Sequence, residues 1–521
     1  MKRLLWLTTL VLAAVLSACS GGSSPVPLPP PAGGFSLSSL KGQYAFSMSG
    51  LDNSGNYLAR AGSFVADGDG NISSAMEDVV DLGVGAPIEV TFAPGKYSML
   101  ANGRGVIVLQ DNSGSGGLTL TMILQSSSQG YLLQTDTGIN GSGTSGNFIL
   151  QTTADFLASS LNGHYVFDFS GVSLTGVAPT DVSTVGYIAA TGNGIITGGL
   201  NDINDGNTGV SGPVTIAPGT FALDPAYGAA FGRGTAQFAG HTFAFYIVDN
   251  TQVRCIQEDS QGGSTGDAVL QTGAIPTQNA GFTGSFAYLV GGTSPLGYPD
   301  AAVARFTADG AGGIGAISYD ENNNGEPLHI SQGSNISNAT YAIDTTNAGS
   351  GRGTLTFTDS TSGLALQYVF YLGTPASGVI QNTTSGYVAN GTMFAQTGSP
   401  FTLASLAGNY AFSWSGVSTT SVENYVGQYV LASSASNNIS GVLDGTSLTF
   451  NGVASYPDSG VQGTLTINSD GSTNNTYQIA AGNSVSSAYG FQAYIVDANT
   501  VLLVGTDKTR VLAGFVSRQS Q

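Results

Sequence analysis

The chain has 521 residues, of which 13 are basic and 32 acidic, for a net charge of −19. Such an excess of negative charge repels phosphate backbones and argues against nucleic acid as a partner. Charged residues make up only 9% of the chain and hydrophobic residues 41%, a balance that excludes a disordered polyelectrolyte and leaves Gly, Ser, Thr, Asn and Gln to form the polar surface.

The first residues are a basic pair, Lys2-Arg3, followed by an apolar run from Leu4 to Leu16. That run has the length of a signal segment and is short for a membrane-spanning helix. It ends in Leu16-Ser17-Ala18-Cys19, which resembles the lipobox of bacterial lipoproteins. The resemblance implies a signal peptide at 1–18, cleavage before Cys19, acylation of its thiol, and anchoring to a membrane through that lipid. In that family a Ser after the Cys, here Ser20, goes with sorting to the outer membrane where the cell has one. Residues 19–34 are rich in Pro, Gly and Ser and read as an extended tether. With Cys19 acylated, Cys255 has no partner for an internal disulfide, and its alternating surroundings read as a buried strand.

Beyond the tether one pattern occurs four times. Gly42-Gln-Tyr44-Ala-Phe46 returns as Gly163-His-Tyr165-Val-Phe167, as Gly284-Ser-Phe286-Ala-Tyr288 and as Gly408-Asn-Tyr410-Ala-Phe412. The glycines are 121, 121 and 124 residues apart, which gives units at 35–153, 154–277, 278–399 and a divergent 400–521. The aromatics alternate with small residues, the period of a strand buried on one face. They are either core or the floor of a pocket inside a barrel.

Each unit continues in the same order. A turn comes first, as in Asp67-Gly68 and Asp309-Gly310, where glycine accepts the backbone of a tight hairpin. A strand then ends in acids and amides: Glu77, Asp78 and Asp81; Asp202, Asn204 and Asp205; Asp320, Glu321, Asn322, Asn323 and Asn324; and Asp444 alone in the fourth unit. A Gly-Arg-Gly follows at Arg104, Arg233 and Arg352, and Gly460-Val-Gln462-Gly463 reads as its remnant in the fourth. The first three units close on a strand ending in Gln151, Gln271 or Gln396.

Short strands joined by Gly, Asn and Asp turns predict an all-β chain of four tandem antiparallel meanders. Eight-stranded up-and-down barrels are the expected form, because closure removes exposed edges; two-sheet sandwiches are the alternative. The Gly-x-Tyr opening followed by Asp-Gly-x-Gly-x-Ile is similar to the start of avidin-like and lipocalin-like barrels, which implies the architecture and no binding residue. The whole chain resembles repeat-containing lipoproteins of soil bacteria.

Three sets of residues are candidates for sites. The recurring arginines Arg104, Arg233 and Arg352 suit either a fork on carboxylates across strands or one anionic-ligand contact per unit. Asp320, Asn322 and Asn324, echoed by Asp202 and Asn204, match the first half of a calcium loop, although Ser331 stands where the bidentate Glu belongs. No catalytic cluster and no other cofactor motif stands out. The expected function is non-enzymatic: a lipid-anchored envelope protein binding a glycan, matrix or protein partner. A small-molecule carrier with aromatic barrel pockets and an extracellular hydrolase with paired carboxylates are the alternatives. The fourth unit, lacking turn Asp and Arg, is expected to be a structural cap.

Overall fold

The computed structural model describes residues 34–520 except 113–115, 137–140, 332–334, 433–436, 450–451, 469–470 and 482–483, and for 474–487 it describes backbone alone. The signal segment, Cys19 and the tether up to residue 33 lie outside the described residues.

Each unit folds as an eight-stranded antiparallel barrel, and the sandwich alternative does not hold. In the first barrel the strands are Lys41–Leu51, Tyr57–Asp67, Asn71–Asp81, Ile88–Met99, Arg104–Asp111, Gly117–Ser126, Gln129–Gln134 and Gly143–Leu150. Each pairs with the next, and the last returns to the first with Tyr44 opposite Leu150. The same path runs from Asn162–Ser173 to Gly262–Leu270, from Thr283–Ser294 to Val388–Ala395, and from Gly408–Ser418 to Arg510–Arg518.

Period-two patterning puts the opening aromatics inside. Tyr44, Phe46, Tyr165, Phe167, Phe286, Tyr288, Tyr410 and Phe412 are all buried in the four barrel cores. The opposite face of these strands is also buried, which revises the one-sided reading. Ala45, Ala287 and Ala411 are fully enclosed and Val166 nearly so. Small residues stand there because a neighbouring barrel packs on them.

The Gly-Arg-Gly motif has a backbone reason. Its first glycine turns the chain through left-handed φ values of +84°, +70° and +76° at Gly103, Gly232 and Gly351. At the second, a Cβ on Gly234 or Gly353 would meet the ring of Phe245 or Phe370 at 2.3 Å. The equivalent of Gly-Arg in the fourth barrel is Gly471-Ser472. Gly471 has φ +84°, its carbonyl accepts from Ile495 as Gly232 does from Ile247, and Ser472 lies opposite Tyr494 as Arg233 lies opposite Tyr246. Gln462 instead sits within the long strand Gly452–Ile467, so the sequence-based alignment of that motif is corrected by the register.

The barrels pack in a closed ring rather than a string. Ala45, Ala61 and Val80 of the first meet Ala244, Tyr246 and Ile256 of the second. Val166, Val185 and Leu200 of the second meet Val369 and Tyr371 of the third. Ala287, Leu289 and Val303 of the third meet Tyr494, Val496 and Leu502 of the fourth. Ile123, Tyr131 and Leu133 of the first meet Ala411 and Val426 of the fourth, and the ring closes. The divergent fourth unit is therefore a full member of the ring and not a cap.

The fourth strand is where the barrels differ. It is continuous in the first barrel but split in the second into Gly209–Ile216 and Gly219–Leu223, and in the third into Glu326–Ser331 and Ile336–Ile343. In the second, Gly209–Ile216 pairs with Ile195–Asp205 and with no fifth strand, which opens the barrel wall at one end. Pro218 follows Ile216 and Ala217 there, and a residue without a backbone N–H cannot extend the ladder.

Candidate functional site

The recurring arginines lie at the seams. Arg233 of the second barrel grips Asp78 of the first with Nε to Oδ2 at 2.9 Å and Nη2 to Oδ1 at 2.8 Å, and Tyr246 donates to the same carboxylate at 2.7 Å. Arg352 of the third barrel grips Asp202 of the second through two bonds of 2.8 Å, with Tyr371 donating at 2.6 Å. Arg104 of the first barrel reaches Asp444 of the fourth, Nη2 to Oδ1 at 2.6 Å. Burial opposes the charge of Arg233 and Arg352, but the carboxylates of Asp78 and Asp202 outweigh it and hold both guanidiniums above their ordinary value. Bidentate geometry of this kind fixes orientation as well as adding energy.

The closing glutamines repeat the same logic. Gln151 Nε2 donates to Phe231 and Ile247 carbonyls of the second barrel, Gln271 to Ser350 and Leu372 of the third, and Gln396 to Ile495 of the fourth. Gln519, which the sequence reading missed, donates to Asn102 and Leu124 of the first. The next residue adds a backbone bond each time, Thr152 to Val248, Thr272 to Gly373, Thr397 to Val496 and Ser520 to Gln125.

The calcium-loop reading is corrected by the strand it falls on. Asp320 and Asn322 belong to the strand Ile314–Asn323 and point outward into the seam with the fourth barrel. Asp320 accepts from Tyr494 at 2.6 Å and lies 2.8 Å from His329 Nδ1, while Asn322 Nδ2 donates to the carbonyls of Gly505, Asp507 and Arg510. Asn204 Nδ2 likewise donates to the carbonyls of Asn382 and Tyr387, and Asp202 is held by Arg352. Asn324 is an exposed turn residue with φ +54°. These side chains are spread over two seams and a turn and do not converge on one point.

A pocket does form in the second barrel. A cavity of about 220 Å³ opens at the end where the wall is split, over Phe167, Phe169, Phe238 and Phe243. Their rings pack with centroids 4.9 Å apart for Phe167 and Phe169 and 4.8 Å apart for Phe238 and Phe243. The register gives the cause: Asn201 occupies the inner position that Tyr319 fills in the third barrel, so an amide stands in place of a phenol ring. Asn201 is 2% exposed, lines the cavity, and its Oδ1 has no hydrogen-bond partner. An adjoining cleft of about 840 Å³ between 214–220 and 237–242 shares Asn201, Phe238 and His241 with it. The cavity alone is below the roughly 300 Å³ at which small-molecule sites begin, and the cleft carries the space above that.

The rim of this pocket is polar and pre-arranged. His241 Nδ1 lies 3.1 Å from Asp259 Oδ2, Gln257 Nε2 donates to Asp259 Oδ1 at 3.0 Å, and Ser264 donates to Gln257 Oε1 at 2.9 Å. Burial pushes Asp259 up, but bonds from the Thr242 N–H, Gln257 and the Gln261 N–H prevail and keep it below the usual carboxylate range. The chain of bonds fixes the imidazole and carboxamide at the mouth. Cys255 is buried in the same core, and burial raises its thiol, so it is not a nucleophile at neutral pH.

A second space lies where the four barrels meet, a depression of about 660 Å³ lined by Ser47, Asn147, Asp168, Thr392, Ser415 and Asn424 among others. Asp168 faces Asp267 across the strand pair; burial first, and then that charge, push it up to about 7.

Comparison with protein-family models and with curated proteins finds no match. Solved structures give only distant likenesses. A transferrin binding protein B mutant from Haemophilus parasuis aligns over 76% of this chain and 84% of its own at 10% identity, with a TM-score of 0.20. The intact Ap transferrin binding protein B, with N and C lobes, covers 75% and 83% at 10% identity and a TM-score of 0.16. A putative AttH from Nitrosomonas europaea covers 72% and 98% at 10% identity and a TM-score of 0.15. Superpositions of this quality transfer no role, and the chain's own geometry carries the reading that follows.

Proposed function

We propose that this chain is a non-enzymatic binding protein of the cell envelope. Acyl chains on Cys19 hold it to a membrane, the outer one where the cell has one, and residues 19–34 lift the ring from the lipid surface. The four barrels pack on one another in a ring, and one pocket among them is the principal site. That pocket is the mouth of the second barrel, and its ligand is a small uncharged molecule or the terminal unit of a glycan with an apolar face. The aromatic floor suits that face, and the Asn201, Gln257 and Ser264 groups suit its hydroxyls. The carrying observation is the cavity over four phenylalanines with a buried carboxamide oxygen left without a partner.

The test uses the mature chain with Cys19→Ser and the uncharged fluorescent probe N-phenyl-1-naphthylamine. Saturable fluorescence enhancement is expected from the unaltered pocket. Thr184→Trp, which fills the cavity from its wall, should weaken binding at least tenfold, about 1.4 kcal/mol. Equal binding by both chains, or none by the first, rules the pocket out.

A further inference from the structure

Three of the barrels carry buried acids on their inner faces at the same end, and two of those barrels also supply a cation. In the first, Glu77 is paired with Arg60 at 2.6 Å. In the fourth, Glu423 is paired with Arg510 at 3.0 Å. In the third, Asp300 stands six residues before the Phe306 that faces Phe286, as Glu423 stands six before the Tyr429 that faces Tyr410. Glu321 is its diagonal neighbour: Asp300 lies opposite Asn323, and Glu321 is two residues along the same inner face. The positions of Arg60 and Arg510 are here Ala302 and Tyr387, and no Lys or Arg is paired with either acid among the described residues.

Asp300 is 2% exposed and Glu321 6% exposed. Both carboxylate oxygens of Asp300 and Oε1 of Glu321 have no hydrogen-bond partner. The hydroxyl of Tyr319, two residues before Glu321 on the inner face, is buried and likewise without a partner, as are those of Tyr288 and Tyr368 in the same core. Burying two acids and several hydroxyls in this state is costly unless something satisfies them. The two carboxylates and the Tyr319 hydroxyl all offer oxygen, the donor type of a hard cation. The pair sits in the barrel wall next to two outer spaces: Asp300 borders the depression on the ring axis, and Glu321 borders the cleft between the third and fourth barrels.

We propose that the third barrel binds a single hard metal cation of the calcium class between Asp300 and Glu321, with the Tyr319 hydroxyl as a further oxygen ligand. The metal replaces in this barrel the guanidinium that Arg60 and Arg510 supply in its neighbours. This site faces the barrel interior and is distinct from Asp320, Asn322 and Asn324 on the outer face and turn. The competing occupant is a proton shared between the two acids.

The test is terbium luminescence sensitised by tyrosine, on the mature chain with Cys19→Ser after chelation. Emission that saturates at one ion per chain and is displaced by calcium at about 1 mM or below is expected, the range of weak extracellular sites. Glu321→Gln, which keeps a hydrogen bond to a protonated Asp300, should fold and lose at least tenfold in affinity. Asp320→Asn on the outer face should leave the affinity unchanged. Absence of calcium-displaceable emission in the unsubstituted chain overturns the proposal and leaves the shared proton. Undiminished emission in Glu321→Gln overturns the assignment to this pair. The unsubstituted chain decides the question even if a variant does not fold.

Discussion

The seam between the second and third barrels and the seam between the third and fourth solve one problem with different residues. In both, an aspartate at the same strand position crosses to the next barrel, Asp202 in one and Asp320 in the other. Asp202 meets an arginine fork and a tyrosine hydroxyl. Asp320 meets the tyrosine alone from across the seam, because Ser472 stands where the arginine belongs, and His329 of its own barrel covers the other oxygen. The seam between the fourth and first barrels is the reverse case: Arg104 is present, but Ile123 replaces the tyrosine. The recurring charge thus serves assembly of the ring, with both donors present at two seams and one of the two absent at each of the others.

The comparison is broken most severely by removing the fork. Arg352→Ala leaves Asp202 buried with one hydroxyl donor, and unfolding free energy should fall by about 3–5 kcal/mol. Urea unfolding followed by tyrosine fluorescence checks it. A loss under 1 kcal/mol would mean that Arg352 is not structural and would return the anionic-ligand reading.

A smaller effect separates the two seams. Tyr494→Phe removes the only side-chain donor that Asp320 receives across its seam among the described residues. It should cost about 1–3 kcal/mol, the penalty of a buried acceptor left short of a partner. Tyr371→Phe leaves Asp202 in the grip of Arg352 and should cost less. The same unfolding measurement on both variants decides it, and an equal loss would show that arginine and tyrosine do not substitute for one another.

Much of this was legible in the sequence because it is local and periodic. The glycine spacing gives four units, and alternation around Tyr44, Tyr165, Phe286 and Tyr410 gives inward-facing strands. Turn chemistry gives the meander: Asp67 accepts from the backbone N–H groups of Asp69 and Asn71. The ring was not legible, because its closure joins Arg104 to Asp444 and Gln519 to Asn102, pairs remote in the chain. Alanines at 45, 287 and 411 were the available sign, since small outward residues in a strand allow another sheet to approach. Gln519-Ser520 repeats the pattern of Gln151-Thr152, but at the chain end nothing marked it as a contact. Ser472 was missed for a physical reason: only the backbone turn at Gly471 preserves the motif once the charge is lost. The second-barrel pocket depends on Asn201 against Tyr319, a difference visible only once the register is known.

A last effect, read against pH rather than denaturant, concerns an aspartate that no seam arginine serves. Asp168 is half-buried beside Asp267 on the wall of the axial depression, and no basic side chain is paired with it among the described residues. Arg254, though close, contacts Asp267, Ser47 and Asn147. Burial and the Asp267 charge raise Asp168 from the ordinary carboxylate value of 3.8 to about 7. The folded state therefore holds a proton that the unfolded chain releases, and stability must fall as pH rises from about 4 through 7. Asp168→Asn keeps the shape and removes the titration, so the melting temperature of the variant should exceed that of the unsubstituted chain more at pH 8 than at pH 5. Parallel curves between those two values would show that Asp168 is ionised in the ring without cost, and that the axial depression supplies a counter-charge as the seams do.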